Sequence, residues 1–303
     1  MLMRITYILR CEPLKMLKKI LQRDEKILLV GANSPIEAMF LKSAGFKAAY
    51  LSGAAYSNDM GMLDEGNISL KTMERKVKEI SRVADIPLVV DCDTGLMGRK
   101  KTKNDLEEDD ALVKMVLRLE KAEAAAIQIE DQVPSKKRCG HLPGKEIIDV
   151  NKMFWKIRIA KLKSRNMLII ARTDARAPEG LDAAIWRSHR YINAGADIIF
   201  PEALESLDEF KIFRREVPRI PLMANLTTHG KTPNDVNAKK LFDIGYQIVL
   251  FPVLLRILLK KYEEILKDIK WFGSLRGFVA RGESFSRNEL NDFIKRNSKL
   301  YAK

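Results

Sequence analysis

The sequence predicts an α/β protein folded as a (β/α)8 barrel, and three observations carry that prediction. Eight apolar segments of strand length recur along the 303 residues, each is followed by a segment of helical period, and the alternation fills about 250 residues. Alternating strands and helices favour a parallel sheet with helices outside it. Eight such units in this length favour a closed barrel over an open sheet.

The predicted strands and helices alternate from residue 27 onward. The strand segments are 27–30, 48–52, 87–91, 124–130, 167–172, 197–201, 221–225 and 247–252. The amphipathic segments between them include 69–83, 105–121, 150–163, 181–194 and 233–243. Gly45, Gly195 and Gly245 each follow a helical segment, where the left-handed residue that ends a helix is usually glycine. We therefore expect an N-terminal extension and helix at 1–25, the barrel at 26–270 and a C-terminal helical tail at 271–303.

The net charge of +14 raises the question of a nucleic-acid partner. Lysines and arginines are spread along the chain, without a basic stripe interleaved with aromatics, a zinc-finger spacing or a helix-turn-helix pattern. This distribution argues against nucleic acid, and a positive field equally suits a small polyanionic substrate.

Hydropathy and cysteine usage indicate the compartment. No apolar run reaches the roughly 20 residues that a membrane-spanning helix needs. The three cysteines, Cys11, Cys92 and Cys139, are an odd and sparse set, which predicts a reducing, cytoplasmic setting.

Polar residues follow the apolar segments at the same end each time. Catalytic groups of a barrel lie at the carboxyl ends of its strands, so these residues are candidates for one site. They are Tyr50 and Ser52 after the second segment, Asp91 and Asp93 after the third, Glu130 after the fourth, Arg172 after the fifth, Glu202 after the sixth, and Asn225 and Thr227 after the seventh.

Asp91 and Asp93 form the sharpest pair. Side chains two residues apart in a strand share a face, so both carboxylates point the same way. Like charges held together need a cation or a proton between them, and Mg²⁺ prefers such oxygen ligands. We predict a Mg²⁺ site with Glu130 holding a metal-bound water; the alternative is that one aspartate caps the next helix or pairs with Arg172.

Cys139 lies in a polar, basic loop, Lys136-Lys137-Arg138-Cys139-Gly140-His141. Three preceding cations and a neighbouring histidine would lower the pKa of an exposed thiol, which could then serve as a nucleophile or a proton donor. The alternative is an incidental surface cysteine.

Taken in order, several segments resemble a known family. They are Tyr50-Leu51-Ser52-Gly53, Val90-Asp91-Cys92-Asp93, Ile129-Glu130-Asp131-Gln132, Lys137-Arg138-Cys139-Gly140-His141, Ala171-Arg172-Thr173-Asp174-Ala175 and Phe200-Pro201-Glu202-Ala203. Over residues 28–293 the chain resembles the isocitrate lyase/phosphoenolpyruvate mutase superfamily, and within it the methylisocitrate lyases.

The resemblance implies roles residue by residue. Asp91 and Asp93 would hold Mg²⁺, with Glu130 in its water shell, and Cys139 would lie in a mobile gating loop. The residues that would contact substrate are Ser52, Gly53, Ala54, Gly140, His141, Arg172, Glu202, Asn225, Thr227 and Arg287. The family is usually a homotetramer whose terminal helices swap between neighbouring barrels, and the tail suits that assembly.

The resemblance also implies a reaction, the Mg²⁺-dependent cleavage of 2-methylisocitrate to pyruvate and succinate in the methylcitrate cycle of propionate catabolism. Tyr50, polarised by Arg172, is the candidate base and Glu130 acting through water is the alternative; Cys139 would protonate the succinate half. Open alternatives are isocitrate, dimethylmalate or another 2-hydroxy acid as substrate, oxaloacetate decarboxylation, or, in a different class, a non-catalytic barrel that binds anions or nucleic acid.

Some positions depart from the family pattern and bear on the substrate. The turn after Asp93 is one residue longer than usual and a charged segment, 99–110, follows it. Gln128 stands where a histidine is common, and the shorter stretch after the eighth strand leaves Arg256 doubtful as a substrate ligand.

Overall fold

The chain is described by a computed structural model that covers residues 12–96, 104–140, 142–227, 230, 232–233 and 235–302. Its strands are β1 (Ile27–Gly31), β2 (Ala49–Leu51), β3 (Leu88–Asp91), β4 (Ala126–Glu130), β5 (Leu168–Thr173), β6 (Ile198–Pro201), β7 (Met223–Asn225) and β8 (Ile248–Phe251). Each overlaps a predicted strand segment, with differences of one or two residues at the ends.

The eight strands form one parallel sheet that curls into a nearly closed barrel. The strand order is β6-β5-β4-β3-β2-β1-β8-β7, so β1 pairs with both β2 and β8. A further parallel bridge between Ile199 and Leu222 brings β6 against the segment that leads into β7. The predicted (β/α)8 fold is confirmed.

Helices alternate with the strands and cover the outside of the barrel. They are α1 (Glu12–Gln22), α2 (Pro35–Ser43), α3 (Gly53–Asp59), α4 (Leu70–Val83), α5 (Asp105–Lys121), α6 (Val150–Lys163), α7 (Arg176–Glu179), α8 (Leu181–Ala194), α9 (Leu207–Glu216), α10 (Ala238–Ile244), α11 (Leu255–Phe272), α12 (Arg276–Ala280) and α13 (Arg287–Asn297). A short 3-10 helix, Pro134–Lys136, precedes the cysteine loop.

The helix ends follow local capping rules. Gly45, Gly195 and Gly245 have φ values of 86°, 106° and 107°, as the predicted left-handed helix ends require. The helix predicted at 233–243 begins later, because extended Asn237 caps it by accepting a hydrogen bond from the N–H of Lys240.

Apolar side chains inside the barrel fill its amino-terminal half. Leu17 and Ile20 of α1 pack in one buried cluster with Ile27, Leu29 and Ile170, so α1 closes the end of the barrel where the strands begin. A larger cluster lies between the strands and the surrounding helices. The polar strand ends are thereby confined to the opposite mouth.

The C-terminal tail packs only in part on its own barrel. Phe293 of α13 stacks on Phe40 of α2, with ring centroids 4.1 Å apart. No residue of α11 is buried, and this helix crosses the boundary predicted at 270/271. Among the described residues, no helix is long and apolar enough to cross a membrane.

Candidate active site

A cavity opens at the carboxyl ends of the strands, and most of the predicted site residues line it. Those that line it are Tyr50, Ser52, Ala54, Asp91, Cys139, Gly140, Arg172, Glu202, Asn225 and Thr227. Arg256 also lines it, although the sequence left that residue in doubt. In a parallel barrel, residues at the carboxyl ends of different strands all lie at the same mouth.

The two aspartates of β3 and its turn lie together at the edge of this cavity. A Cβ added to Gly53 would lie 3.2 Å from a carboxylate oxygen of Asp91 and 3.2 Å from one of Asp93. The pair converges although Asp93 lies just beyond the strand, in a left-handed conformation with φ of 47°. Asp91 accepts hydrogen bonds from the backbone N–H of Gly53 and of Asp93, both at 3.1 Å. The Gly53 N–H, predicted to bind a substrate carboxylate, is therefore engaged with Asp91.

A buried lysine, Lys137, lies next to the aspartate pair. The Lys137 ammonium lies 2.8 Å from Asp93 Oδ1 and also pairs with Asp64. Burial, with the nearby charges of Asp91 and Asp64, raises the pKa of Asp93 to about 6 despite Lys137. The single positive charge of Lys137 therefore does not balance the three carboxylates of Asp64, Asp91 and Asp93.

Arg172 is the centre of a second buried cluster. Its guanidinium makes two hydrogen bonds to Asp174, at 2.9 and 3.0 Å, and lies 3.3 Å from Glu130 and 3.3 Å from Glu202. Burial raises the pKa of Glu130 well above its usual value, and Arg172 offsets this only in part. Both carboxylate oxygens of Glu130 are buried and accept no hydrogen bond from the described part of the chain. Glu130 is thus a buried carboxyl group with a raised pKa, in contact with Arg172, which lines the cavity.

Tyr50 is buried at the mouth and hydrogen-bonded to a neighbouring side chain. Its hydroxyl donates a 2.9 Å hydrogen bond to Gln128, whose amide in turn donates to Asp91 at 3.2 Å. Burial raises the pKa of Tyr50 well above its usual value, Asp91 raises it further, and Arg172 opposes this only in part. Burial thus raises the pKa of both candidate bases, Tyr50 and Glu130, and the assignment of the base stays a prediction.

The far side of the mouth carries neutral donors and acceptors. The Asn225 amide lies 3.4 and 3.5 Å from the two Glu202 carboxylate oxygens, and Thr227 donates to the Asn225 carbonyl oxygen. Ser52 caps α3 by accepting from the N–H of Ala55 at 3.2 Å. These groups, with Ala54, leave room for hydrogen bonds to an oxygen-rich ligand.

Cys139 is half-buried at the cavity wall, as a residue on a loop that covers the mouth should be. The cations that precede it are directed elsewhere: Lys136 pairs with Glu146, Lys137 with the aspartates, and Arg138 reaches the carbonyl of Pro143. His141 lies outside the described residues. The lowered thiol pKa expected from these cations stays a prediction.

Some predicted residues do not line the cavity, and one residue that lines it was not predicted. Gly53, Asp93 and Glu130 are not among the lining residues, although each contacts one of them. Arg287 begins α13 on the exposed surface and does not line the cavity of its own chain. Asp64, which lines the cavity, was not predicted. It lies in the segment between α3 and α4, away from any strand end, so neither periodicity nor the strand-end rule points to it.

Asp91, Asp93 and Glu130 are the residues whose oxygens could bind a cation. Within the described ranges, no group of three or more His, Cys, Asp or Glu side chains is already arranged as a complete metal site. The aspartate pair offers two adjacent buried carboxylates, and Glu130 offers oxygens that need a hydrogen-bond donor such as water. A hard cation that keeps part of its water shell fits this donor set.

Comparisons with known proteins agree on the kind of barrel. A sequence model of the phosphoenolpyruvate phosphomutase family matches residues 17–270. The chain is 41% identical to the 2-methylisocitrate lyase of Bacillus subtilis over 91% of this chain and 87% of that protein. It is 40% identical to the 2-methylisocitrate lyase of Aeropyrum pernix over 93% and 89%. The crystal structure of a 2,3-dimethylmalate lyase superposes with a TM-score of 0.81 at 26% identity, over 95% of this chain and 92% of that chain.

Proposed function

This chain belongs to the phosphoenolpyruvate phosphomutase family, and we propose that it cleaves 2-methylisocitrate into pyruvate and succinate. The superfamily resemblance found in the sequence is confirmed, and the protein is an enzyme of the lyase type. The observation that carries the proposal is that one cavity collects Asp91, Arg172 and the thiol of Cys139. We place the reaction in the methylcitrate cycle of propionate catabolism.

The chemistry requires one base and one acid on either side of a carbon–carbon bond. Loss of the hydroxyl proton turns the carbinol carbon into the keto carbon of pyruvate while the bond to its neighbour breaks. The electron pair of that bond stays with the succinate half, which then takes up one proton. No water or oxidant enters the balance, so an active site that excludes solvent suits the reaction.

The buried groups of the mouth supply both proton transfers. Glu130, whose pKa is raised by burial, takes the hydroxyl proton through an intervening water. Cys139 delivers a proton to the succinate half from the covering loop. Arg172 and Asn225 hold substrate oxygens by charge and hydrogen bonding, and the glutamate beside them, Glu202, fixes the orientation of both.

We propose Mg²⁺ as the cofactor, with Asp91 and Asp93 as its protein ligands and Glu130 bonded to its water shell. When bound, it would supply positive charge to the hydroxyl and carboxylate oxygens of the future pyruvate and so lower the hydroxyl's pKa. The adjacent buried carboxylates and the raised pKa of Asp93 support this assignment.

Metal binding is expected to depend on pH. Because the pKa of Asp93 is about 6, the carboxyl group is mostly protonated below that pH and must release its proton to bind a cation. The affinity for Mg²⁺ should therefore fall about tenfold for each pH unit below 6 and level off above it. Calorimetric titration of the apoprotein with MgCl₂ at several pH values measures this. An affinity unchanged between pH 5 and 7.5 would contradict the assignment, and Asp93→Asn should remove the pH dependence.

A substrate panel tests the reaction itself. Pyruvate release is followed in a coupled assay with MgCl₂ and, in turn, 2-methylisocitrate, isocitrate and 2,3-dimethylmalate, with oxaloacetate decarboxylation assayed separately. We expect the highest kcat/KM with 2-methylisocitrate. One methyl group in an apolar pocket is worth about 1–3 kcal/mol, so weaker activity on isocitrate is expected. A preference for 2,3-dimethylmalate would transfer the proposal to the activity of the structural relative.

The partner that we propose for α11 is a second copy of this chain, in a homotetramer. Leu258, Tyr262, Leu266 and Ile269 recur every three or four residues, so they form one apolar stripe, and each is at least 42% exposed. An apolar stripe of this size is typical of an interface between subunits. Arg287, which follows on α13, would then reach the mouth of a neighbouring barrel.

Disrupting the stripe should change the assembly. Leu266→Glu places a charge in the proposed interface and is expected to reduce the molecular mass measured by light scattering from an oligomer toward that of the 34.6 kDa chain. Lys260→Glu, on the opposite side of the same helix, where Lys260 pairs with Glu263, is the matched control and should leave the mass unchanged. A wild-type protein that is monomeric would overturn the assignment.

A further inference from the structure

The loop that carries Cys139 is fastened at its beginning by a side chain from the barrel. Gln132 accepts a hydrogen bond from the N–H of Arg138 at 3.0 Å and donates one to the Arg138 carbonyl at 2.9 Å. Such a two-way amide contact fixes the backbone one residue before the thiol. The backbone on the far side of Cys139, at Gly140, is held by other contacts.

On that far side, Gly140 lies directly against the arginine cluster. A Cβ at this position would collide with Nη2 of Arg172 and would lie 2.8 Å from Cγ of Glu202. Only a glycine lets the backbone approach so closely. The position of the thiol is therefore tied to how firmly the Gly140 backbone is kept in contact with these two side chains.

Lys145 supplies that connection from beneath the loop. Its side chain is fully buried, and its ammonium donates to the Gly140 carbonyl at 2.7 Å and to Asp174 Oδ1 at 2.7 Å. Asp174 at the same time accepts two hydrogen bonds from Arg172, and its own backbone N–H donates to Asp131 at 2.8 Å. One cation thus links the loop to the carboxylate that orients the arginine.

The charges around Asp174 keep this link strong. Burial alone would raise the pKa of Asp174, but Arg172 and Lys145 together hold it below its usual range. Asp174 is therefore ionised, and the hydrogen bond from Lys145 is charge-assisted on both sides. By contrast, the contact of Lys145 with Gly140 is to a neutral carbonyl on the loop, so it can break without leaving the ammonium unpaired.

We propose that Lys145 is a positioning residue that holds the loop of Cys139 in its docked position over Arg172. When the loop leaves, the hydrogen bond at the Gly140 carbonyl breaks while Lys145 stays on Asp174. The inference rests on the proposed function in one respect: that the thiol of the docked loop faces the substrate. The docking itself is a property of the protein without substrate.

The test compares two substitutions, Lys145→Met and the control Lys136→Met. Lys136 is an exposed lysine at the start of the same loop, and its ammonium pairs with Glu146. The rate of alkylation of Cys139 by iodoacetamide is measured by peptide mass spectrometry. We expect a rise of about tenfold or more in Lys145→Met, the factor that follows from removing a hydrogen bond with a charged donor, and no change in Lys136→Met. Equal rates in all three proteins would overturn the proposal.

Activity separates this inference from the proposed reaction. In Lys145→Met we expect kcat with 2-methylisocitrate to fall at least about tenfold, because the hydrogen bond to the Gly140 carbonyl is worth that factor. The affinity for MgCl₂ should stay within about twofold, because that hydrogen bond joins Lys145 to the loop and not to the aspartate pair. If the wild-type protein fails to cleave the substrate, the alkylation rates still decide whether Lys145 holds the loop. Unchanged kcat together with faster alkylation would refute the positioning role.

A second measurement needs no variant and covers the case in which Lys145→Met does not fold. Amide hydrogen exchange is measured on the wild-type chain with MgCl₂ and pyruvate. A docked loop predicts protection of the amides of Arg138 and Leu142, which donate to Gln132 and to the Cys139 carbonyl. Exchange of these amides at the rate of an unstructured peptide would overturn the proposal.

Discussion

Replacing Cys139 by alanine is expected to lower kcat for pyruvate release by about 10²–10⁴-fold, the range for loss of a general acid. The thiol lines the cavity that holds Arg172 and Asp91, on a loop that would place it over the proposed substrate. The succinate half must gain one proton for each turnover of the proposed reaction, and Lys137, the other proton-bearing side chain of this loop that lines the cavity, is paired with Asp93. The protein should fold and titrate with MgCl₂ as the wild type does, because Cys139 is half-buried and outside the main core.

The matched control for this variant is Ser135→Ala. Ser135 is an exposed residue with a short side chain near the start of the same loop, and its substitution should leave kcat unchanged. Full activity in Cys139→Ala would remove the general-acid assignment. A loss of activity that accompanies a loss of MgCl₂ binding would instead indicate a disturbed fold.

Asp91→Asn is the second substitution with a large expected effect. Asparagine preserves size and keeps one acceptor oxygen, so it can still accept either from Gly53, which donates to Oδ2, or from Gln128, which donates to Oδ1, while the charge is removed. Electrostatic help from a bound cation is worth several kcal/mol in a transition state, and kcat/KM should fall about 10³-fold or more. Excess MgCl₂ should not restore it. The coupled pyruvate assay, with and without a chelator, gives the comparison.

Asp208→Asn is the control for charge removal in general, since Asp208 is exposed on α9 and pairs only with Lys211 among the described residues. Its kcat/KM should match the wild type. Activity of the wild type in a chelator equal to its activity in MgCl₂ would exclude a required metal. Activity of Asp91→Asn equal to that of the wild type would exclude Asp91 as its ligand.

Much of the mouth could be predicted because parallel strands impose a shared direction. Asp91, Glu130, Arg172, Glu202 and Asn225 each end an apolar segment, and a closed barrel necessarily brings those ends together. The helices at 105–121 and 150–163 were located to the residue because a polar cap, Asn104 or Asp149, and amphipathic periodicity agree there. The helix at 181–194 was located equally well because glycines flank it at both ends.

Residues on loops could not be placed in the same way. Asp64 and Lys145 lie between regular elements, so their distance from the site depends on how the loops pack and not on a local period. Lys137 belonged to a recognised motif, yet its contact with Asp93 follows from the loop folding back across the mouth. Arg287 illustrates the same limit, because its position relative to a site would depend on the proposed assembly.

Tyr50 shows that proximity alone does not assign a role. The strand-end rule correctly placed it at the mouth, but its hydrogen bond to Gln128 is a contact between two strands that no single segment encodes. Burial raises the pKa of that hydroxyl, an effect that only the folded environment determines. The same burial raises the pKa of Glu130 well above its usual value.

The most direct test of the central claim is a ¹H NMR measurement of the wild-type reaction in D₂O with 2-methylisocitrate and MgCl₂. If the carbon–carbon bond is cleaved and the succinate half is protonated by an exchangeable thiol, pyruvate and succinate appear in equal amounts and each succinate carries one deuterium on carbon. Substrate that remains intact, or succinate formed without deuterium, would contradict the account.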